Sequence, residues 1–298
     1  MHPSVVSFGE VLWDIFPNAT RIGGAPLNVA YNLAQNGIDC TMISRVGNDD
    51  LGRQLTAQLQ KWGMPLTGIQ QDDTHATGTV KATFDAHGEP HYEIIQPVAW
   101  DFITWQPAYE PLLKAAGAFV FGSLGARNEV SRKTLFTALE IAKVKVFDIN
   151  LRAPFYSFAL IKELLQKAGI VKLNIAELKQ LQTWMDKSYV DEADGIHLLQ
   201  DTFRIPQILL TKGSQGSVYY ERSYHQVFPA VKVTVQDTVG SGDAFLAGFL
   251  GAKLLQEGPL KSIENAALLS AFITSKAGAC PDYTMEEYAA FKAAHPLN

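Results

Sequence analysis

Val5, Val6 and Phe8 form a short apolar run that stops at Gly9-Glu10, the pattern of a strand covered on both faces. The regularity then breaks. Between 11 and 22 the apolar positions are spaced irregularly around Asp14, Pro17 and Asn18, which predicts a short excursion from the main sheet. A helix is expected from Gly23-Gly24 to about Leu33, closed by Asn36-Gly37, and a second strand at 41–46 ends at Gly47. Asn48 or Asp49 caps a helix over 52–62 that Gly63 stops. The β-rich stretches 77–84 and 91–95 flank a turn cluster at 85–90, a hairpin with no helix behind it. Together with 11–22, this hairpin would make a small sheet inserted into a larger body.

From Trp100 onward strand and helix patterns alternate. Apolar strands are expected at 118–121, 144–149, 170–173 and 208–211, the last turning through Lys212–Gly216 into a returning strand at 217–220. Helices are expected at 129–143 with Asn128 as cap, from Asn174 to about Leu181, and at 263–276 with Asn265 near its start. The stretch 231–254 alternates at Val231, Val233 and Val235 like a strand, turns through glycines, and continues as a helix with small residues at Ala244, Ala247, Gly248 and Gly251. Strands that alternate with helices predict an α/β fold whose sheet binds ligands at the C-terminal ends of its strands.

Composition narrows the chemistry. A chain of 298 residues that is 47% hydrophobic buries a substantial core as one α/β domain, here 1–298, with insertions at about 11–22 and 77–96. Its two cysteines, Cys40 and Cys280, are far apart and suggest neither a disulfide framework nor a cysteine-rich zinc site. No basic-then-apolar leader and no membrane-length apolar run is present, so a soluble, cytoplasmic protein is expected. A net charge of −5 with dispersed Lys and Arg offers no stripe for nucleic acid. Small-molecule chemistry remains. His75, His87 and His91 lie near one another but match no metal-ligand spacing, and solvated loop histidines are the better reading.

Asp237-Thr238-Val239-Gly240-Ser241-Gly242-Asp243 carries the clearest chemistry. Gly240 and Gly242 allow a tight turn that aims several N–H groups at one point, and the helix that follows adds its positive end there. Anionic oxygen belongs at such a point, so Asp243 is out of place unless it accepts a proton from an attacking hydroxyl. The plainer reading, a helix cap, accounts for Asp243 but not for the rest of the stretch. Asp14 reads as a loop carboxylate paired with Arg21 or as an acceptor for substrate hydroxyls. Gly24 and Asn28 open a helix where a ligand can approach the backbone and meet an amide. Asp148, Asn150 and Arg152 fall at a strand's C-terminal end, where Arg152 could steady a phosphate or sugar oxygen or remain a surface arginine. Asn174 and Glu177 fit a capping box.

The 237–243 segment resembles the Asp-Thr-x-Gly-Ala-Gly-Asp motif of the PfkB, or ribokinase-like, carbohydrate kinases, with Ser241 in place of the usual Ala. The resemblance runs from Gly9 to Pro281. It implies a ribokinase-like three-layer α/β fold, a mostly parallel sheet with helices on both faces plus a small β-sheet lid, through which several relatives pair as homodimers. It implies transfer of the γ-phosphoryl group of MgATP to a primary hydroxyl of a small sugar. In that scheme Asp243 is the base, and the backbone N–H groups of Gly240, Ser241 and Gly242 hold the developing charge. Asp14, Gly24, Asn28 and Arg152 then face the sugar, while Thr211, Gly213, Gly216 and Asn174 lie along the nucleotide. Glu177 contributes to hydrated Mg²⁺, and Asp237 with the Val239 carbonyl to a monovalent cation such as K⁺, beside the 277–281 loop and the adenine. Cys280 in that loop reads as a packed thiol. Asp148-x-Asn150-x-Arg152 is similar to a fructokinase-type segment, and Ala25 departs from the Lys of some ribose-specific members. Fructose is therefore the first choice of sugar. Other ketoses, ribose, 2-keto-3-deoxygluconate and nucleosides are the alternatives, and a non-catalytic sugar sensor is a rival of another class.

Overall fold

Phe119 and Phe121 of one strand face one helical layer while Ala118 and Val120 of the same strand face the other, the two-sided burial that a continuous apolar run requires. The computed structural model describes residues 3–84 and 90–296. In chain order they form β1 (Ser4–Phe8), β2 (Leu12–Phe16), β3 (Ala19–Gly23), α1 (Ala25–Gln35), β4 (Asp39–Gly47), α2 (Asp50–Lys61), β5 (Ile69–Asp72), β6 (Gly78–Phe84) and β7 (Pro90–Ile94). The second half holds α3 (Tyr109–Ala115), β8 (Ala118–Gly122), α4 (Glu129–Ile141), β9 (Lys145–Asp148), α5 (Phe158–Lys167), β10 (Ile170–Asn174), α6 (Ile175–Trp184) and α7 (Glu192–Phe203). It closes with β11 (Gln207–Thr211), β12 (Ser217–Tyr220), β13 (His225–Phe228), α8 (Ser241–Leu254), α9 (Pro259–Thr274) and α10 (Met285–Ala294).

Among the described residues, nine strands form one sheet in the order β13-β12-β11-β10-β9-β8-β1-β4-β5. The pairings from β11 across to β5 are parallel, and β12 and β13 close the other edge antiparallel. The chain runs outward from β1 in both directions, so strand order reverses between β1 and β8, where open α/β sheets form a crevice. Helices α3 to α7 cover one face, with Phe8, Phe119, Phe121 and Phe147 beneath them. The other face lies under α1, α2, α8, α9 and α10. A second sheet, β3-β2-β6-β7, combines the 12–23 and 78–94 segments as the sequence suggests. The turn cluster behind that hairpin, including His87, lies outside the described residues at 85–89. His75 is bound to Asp72 and stacked on Phe102. No group of three or more metal-ligating side chains is found among the described residues, and no helix there is long and apolar enough to cross a membrane.

Two expectations fail for physical reasons. Residues 231–235 are not a strand: Val231 and Val233 are half-buried, Val235 is exposed, and the segment has no ladder partner. Alternating burial was present without the pairing that makes a strand. Helix α9 begins at Pro259 behind Gly258, well before Asn265, because proline is pre-set for the first helical turn. Phe147 is fully buried and stacked 5.1 Å from Phe121. Phe147→Ala should cost about 3–5 kcal/mol through the cavity it leaves, read as a lower urea midpoint with unchanged secondary structure by circular dichroism.

Candidate active site

The sequence-predicted residues meet along the C-terminal edge of the main sheet. Glu10 follows β1, Asp148 ends β9, Asn174 ends β10 and Thr211 ends β11, with Asn174 and Thr211 opposite each other in register. Helices α1 and α8 start at the same edge. Gly24 precedes α1 at φ 114°, where a Cβ would drive into the Glu10 carbonyl. Gly240 precedes α8 in the left-handed region at φ 76°, with Ala279 packed where a side chain would go. No side chain caps α8, so its first N–H groups, which have no acceptor within the helix, face the crevice. Ser241 differs from its neighbours: its N–H donates to the Thr238 carbonyl at 3.3 Å and closes the turn.

Asp243 is buried in the first turn of α8, and Asn28 Nδ2 of α1 donates to its Oδ2 at 2.8 Å. Expected as a sugar ligand, Asn28 instead directs its amide N–H to the Asp243 carboxylate, and its Oδ1 accepts from the Cys280 thiol at 3.4 Å. Burial pushes the Asp243 carboxyl up, and the nearby Lys172 ammonium pulls it back. Lys172 is a residue the sequence reading missed. It sits in the apolar strand β10, its Nζ 3.0 and 2.8 Å from the two Asp148 oxygens, and it lies under Gly242, 2.9 Å from where a Cβ would be. Burial alone would depress its pKa, but Asp148 and Asp243 leave it raised and the ammonium charged. A lone lysine inside an apolar strand that ends at the binding edge was the available signal.

On the sugar side, Asp14 of β2 lies against Gly23, so that a Cβ there would overlap its carboxylate. Burial pushes Asp14 up to about 6 against the pull of Arg152 and Arg21. The expected partner Arg21 is instead bound to Asp237 at 2.8 Å. Arg152 is exposed, and its charge reaches Glu10, Asp14 and Asp243 together, which gathers these groups around one space. Glu10, also missed, is 2% exposed and has one carboxylate oxygen without a partner. Burial pushes it up to about 7. Cys280 is pushed well above the ordinary thiol range by burial, Asp243 and Asp14, in keeping with a packed, unreactive thiol.

On the nucleotide side, Gly213 opens a single 3₁₀ turn and Gly216 returns the chain to β12 against the Phe228 carbonyl. The Thr211 hydroxyl donates to Leu173 O at 3.4 Å. Asn174 and Glu177 form the capping box. Glu177 also does more: its two oxygens accept from Asn174 N at 2.8 Å and Leu151 N at 3.0 Å, tying the 150–152 loop to α6. Burial and Asp148 push its carboxyl up. A dication fits such a place through its own water shell, because Mg²⁺ keeps several waters and needs few direct protein ligands. Asp237 fits a monovalent cation poorly because its charge is already paired with the Arg21 guanidinium at Oδ2, beside Gly278 N–H, while Oδ1 accepts from Val239 N–H. An open cavity of about 480 Å³ beside Asp201, Arg204 and Glu221 lies at the opposite, N-terminal end of β11 and holds none of these groups.

Known proteins are similar to this chain in sequence and fold. The family model for pfkB family carbohydrate kinases matches residues 5–285. Fructokinase-1 of Zea mays is 32% identical over 311 residues, spanning 95% of each chain. The crystal structure of a Xylella fastidiosa fructokinase with bound ATP superposes with a TM-score of 0.87 over 99% of each chain at 23% identity, a likeness of fold. A Vibrio cholerae O395 fructokinase in a fructose-, ADP- and calcium-bound form is 25% identical, with a TM-score of 0.84 over 97% of this chain and 98% of that one.

Glu10 provides a stability test. Its folded pKa of about 7 lies above the unfolded 4.5, so the folded state holds the proton more tightly and stability falls as pH rises from 4.5 through 7. Glu10→Gln removes that dependence. Its melting temperature relative to wild type should climb across this window and level off above it. A difference that does not change with pH would show that Glu10 does not titrate there.

Proposed function

The chain belongs to the pfkB family of carbohydrate kinases, and we propose that it is a cytoplasmic fructokinase, moving the γ-phosphoryl group of MgATP onto a primary hydroxyl of fructose. The carrying observation is Asp243, buried at the uncapped start of α8 and held by Asn28. A carboxylate raised by burial is a stronger proton acceptor than one in water. Fructose is favoured by the 32% identity to a protein named fructokinase and by the fructose- and ADP-bound state of the Vibrio cholerae relative.

In the reaction Asp243 takes the proton of the sugar hydroxyl as its oxygen attacks the γ-phosphorus. The new P–O bond forms as the bond to the β-phosphate oxygen breaks, and ADP leaves. The N–H groups of Gly240 and Gly242, the positive end of α8 and the Lys172 ammonium beneath Gly242 face the charge on the moving phosphoryl group. Because Ser241 N–H is engaged in the turn, we give it the smaller share. Asp14, Arg152 and the backbone at Gly24 orient the sugar, and Thr211, Gly213, Gly216 and Asn174 line the nucleotide. Glu177 would hold Mg²⁺ through water, and the ion would supply positive charge to offset that of the phosphates. The small sheet serves as a lid that excludes water, and its β3 and β7 edges are suited to pairing with a second copy.

Asp243→Asn should lower turnover by about 10²–10⁴-fold, the range for a lost general base, while calorimetry finds sugar affinity near wild type. Wild-type-like turnover would remove Asp243 from this role. A coupled ADP-release assay over fructose, other ketoses, ribose, 2-keto-3-deoxygluconate and nucleosides should give its highest kcat/KM with fructose. Binding without ADP release on every compound would instead identify a sugar sensor.

A further inference from the structure

Asp237 opens the turn before α8, and its carboxylate already accepts from three donors. Arg21 NH1 donates to Oδ2 at 2.8 Å, Gly278 N–H to the same oxygen at 3.0 Å, and Val239 N–H to Oδ1 at 3.0 Å. One of the three donors is a permanent cation. Arg21 comes from β3 of the small sheet, in register with Asp14. Its stem lies along the 277–281 loop, with Cδ 3.3 Å from where a Gly278 Cβ would be, and its guanidinium is 5.6 Å from the Phe16 ring. Arg21 lowers and Asp237 raises the pKa of Asp14, so this one guanidinium faces the sugar-side carboxylate and the phosphate-side loop together.

A monovalent cation on Asp237 would share one carboxylate with that guanidinium, and two like charges on the same carboxylate repel. We propose that Arg21 is a built-in counter-ion, a positioning residue that does the work of a bound K⁺. It neutralises Asp237, holds the 237–240 turn against the 277–281 loop, and ties both to the sheet that carries Asp14. The phosphoryl cradle is then assembled without an added monovalent cation, and seating of the small sheet is coupled to the shape of the turn.

The effect on turnover rests on the kinase reading above, so the test has one readout that does not. Melting temperature and fructose-dependent ADP release are measured for the full chain in KCl and in tetramethylammonium chloride at equal ionic strength. Wild type should melt at the same temperature in both salts and turn over at rates within about twofold, since a cation that does not bind stabilises nothing. Arg21→Ala should lose about tenfold or more in tetramethylammonium, as a displaced turn misaligns the reacting groups. It should regain both rate and melting temperature in KCl. Arg21→Lys, which keeps a cation, should stay indifferent to the salt. A K⁺-dependent rise in wild-type melting temperature or rate would overturn the proposal. So would an Arg21→Ala variant that is slow in both salts at unchanged melting temperature, or one as active as wild type in tetramethylammonium. If wild type releases no ADP in either salt, the kinase reading fails, and the melting temperatures still decide whether K⁺ binds in place of Arg21.

Discussion

Asp243 is only 8% exposed in the first turn of α8, and withdrawing a carboxylate from water is costly unless neighbours replace the solvent. The surrounding architecture supplies those neighbours. Asn28 gives a hydrogen bond from α1, Lys172 gives a charge from β10, and the start of α8 gives its unpaired N–H groups. Each comes from a different element, so the pocket exists only when α1, α8 and the sheet are docked. Close helix packing makes that docking exact in position. At Gly248 a Cβ would come 2.6 Å from Asn265 O and 2.9 Å from Ala266 Cα, so α8 and α9 touch backbone to backbone. Gly248, one of the small residues along that helix in the sequence, lets α8 seat this closely on α9.

The charges around the crevice are arranged in opposed pairs rather than one field. Lys172 is bound to Asp148, Arg21 to Asp237, and Arg152 stands exposed before Glu10, Asp14 and Asp243. The Lys172–Asp148 pair joins strands β10 and β9 and the Arg21–Asp237 pair holds the turn before α8, whereas the other side keeps an excess of carboxylate. Burial raises Glu10, Asp14 and Asp243 alike, and a neighbouring carboxylate adds to each rise: Asp243 at Glu10, Asp237 at Asp14 and Asp148 at Asp243. A polyol, with hydroxyls to donate, suits carboxylates held in this way. A nucleotide suits the opposite side, where the uncapped start of α8 offers N–H groups above the buried Lys172 ammonium.

Short-range features were legible in the chain. The Gly240-x-Gly242-Asp243 turn, the Asn174–Glu177 capping box, the Asn128 cap and the buried parallel strands depend on residues a few positions apart, and the structure has them where the pattern calls for them. Local alternation also misled, at 231–235, because a strand is defined by a partner that no local pattern contains. Lys172 was visible as a lone charge inside one apolar strand and Glu10 as one just past the end of another, yet their meaning depended on what stood opposite them.

Sequence alone determined the order of elements, the family motif and therefore the class of chemistry, since these follow from backbone preference and residue type along a few turns of chain. Only the tertiary structure decided which groups answer one another. Asn28 meets Asp243 across 215 positions and Arg21 meets Asp237 across 216. Asp14 looked like the natural partner of Arg21 from sequence, but the fold brings Arg21 to a loop more than two hundred residues away. Partnership between charges is settled by distance in space, which the chain acquires only when the sheet and its two helical layers have closed around it.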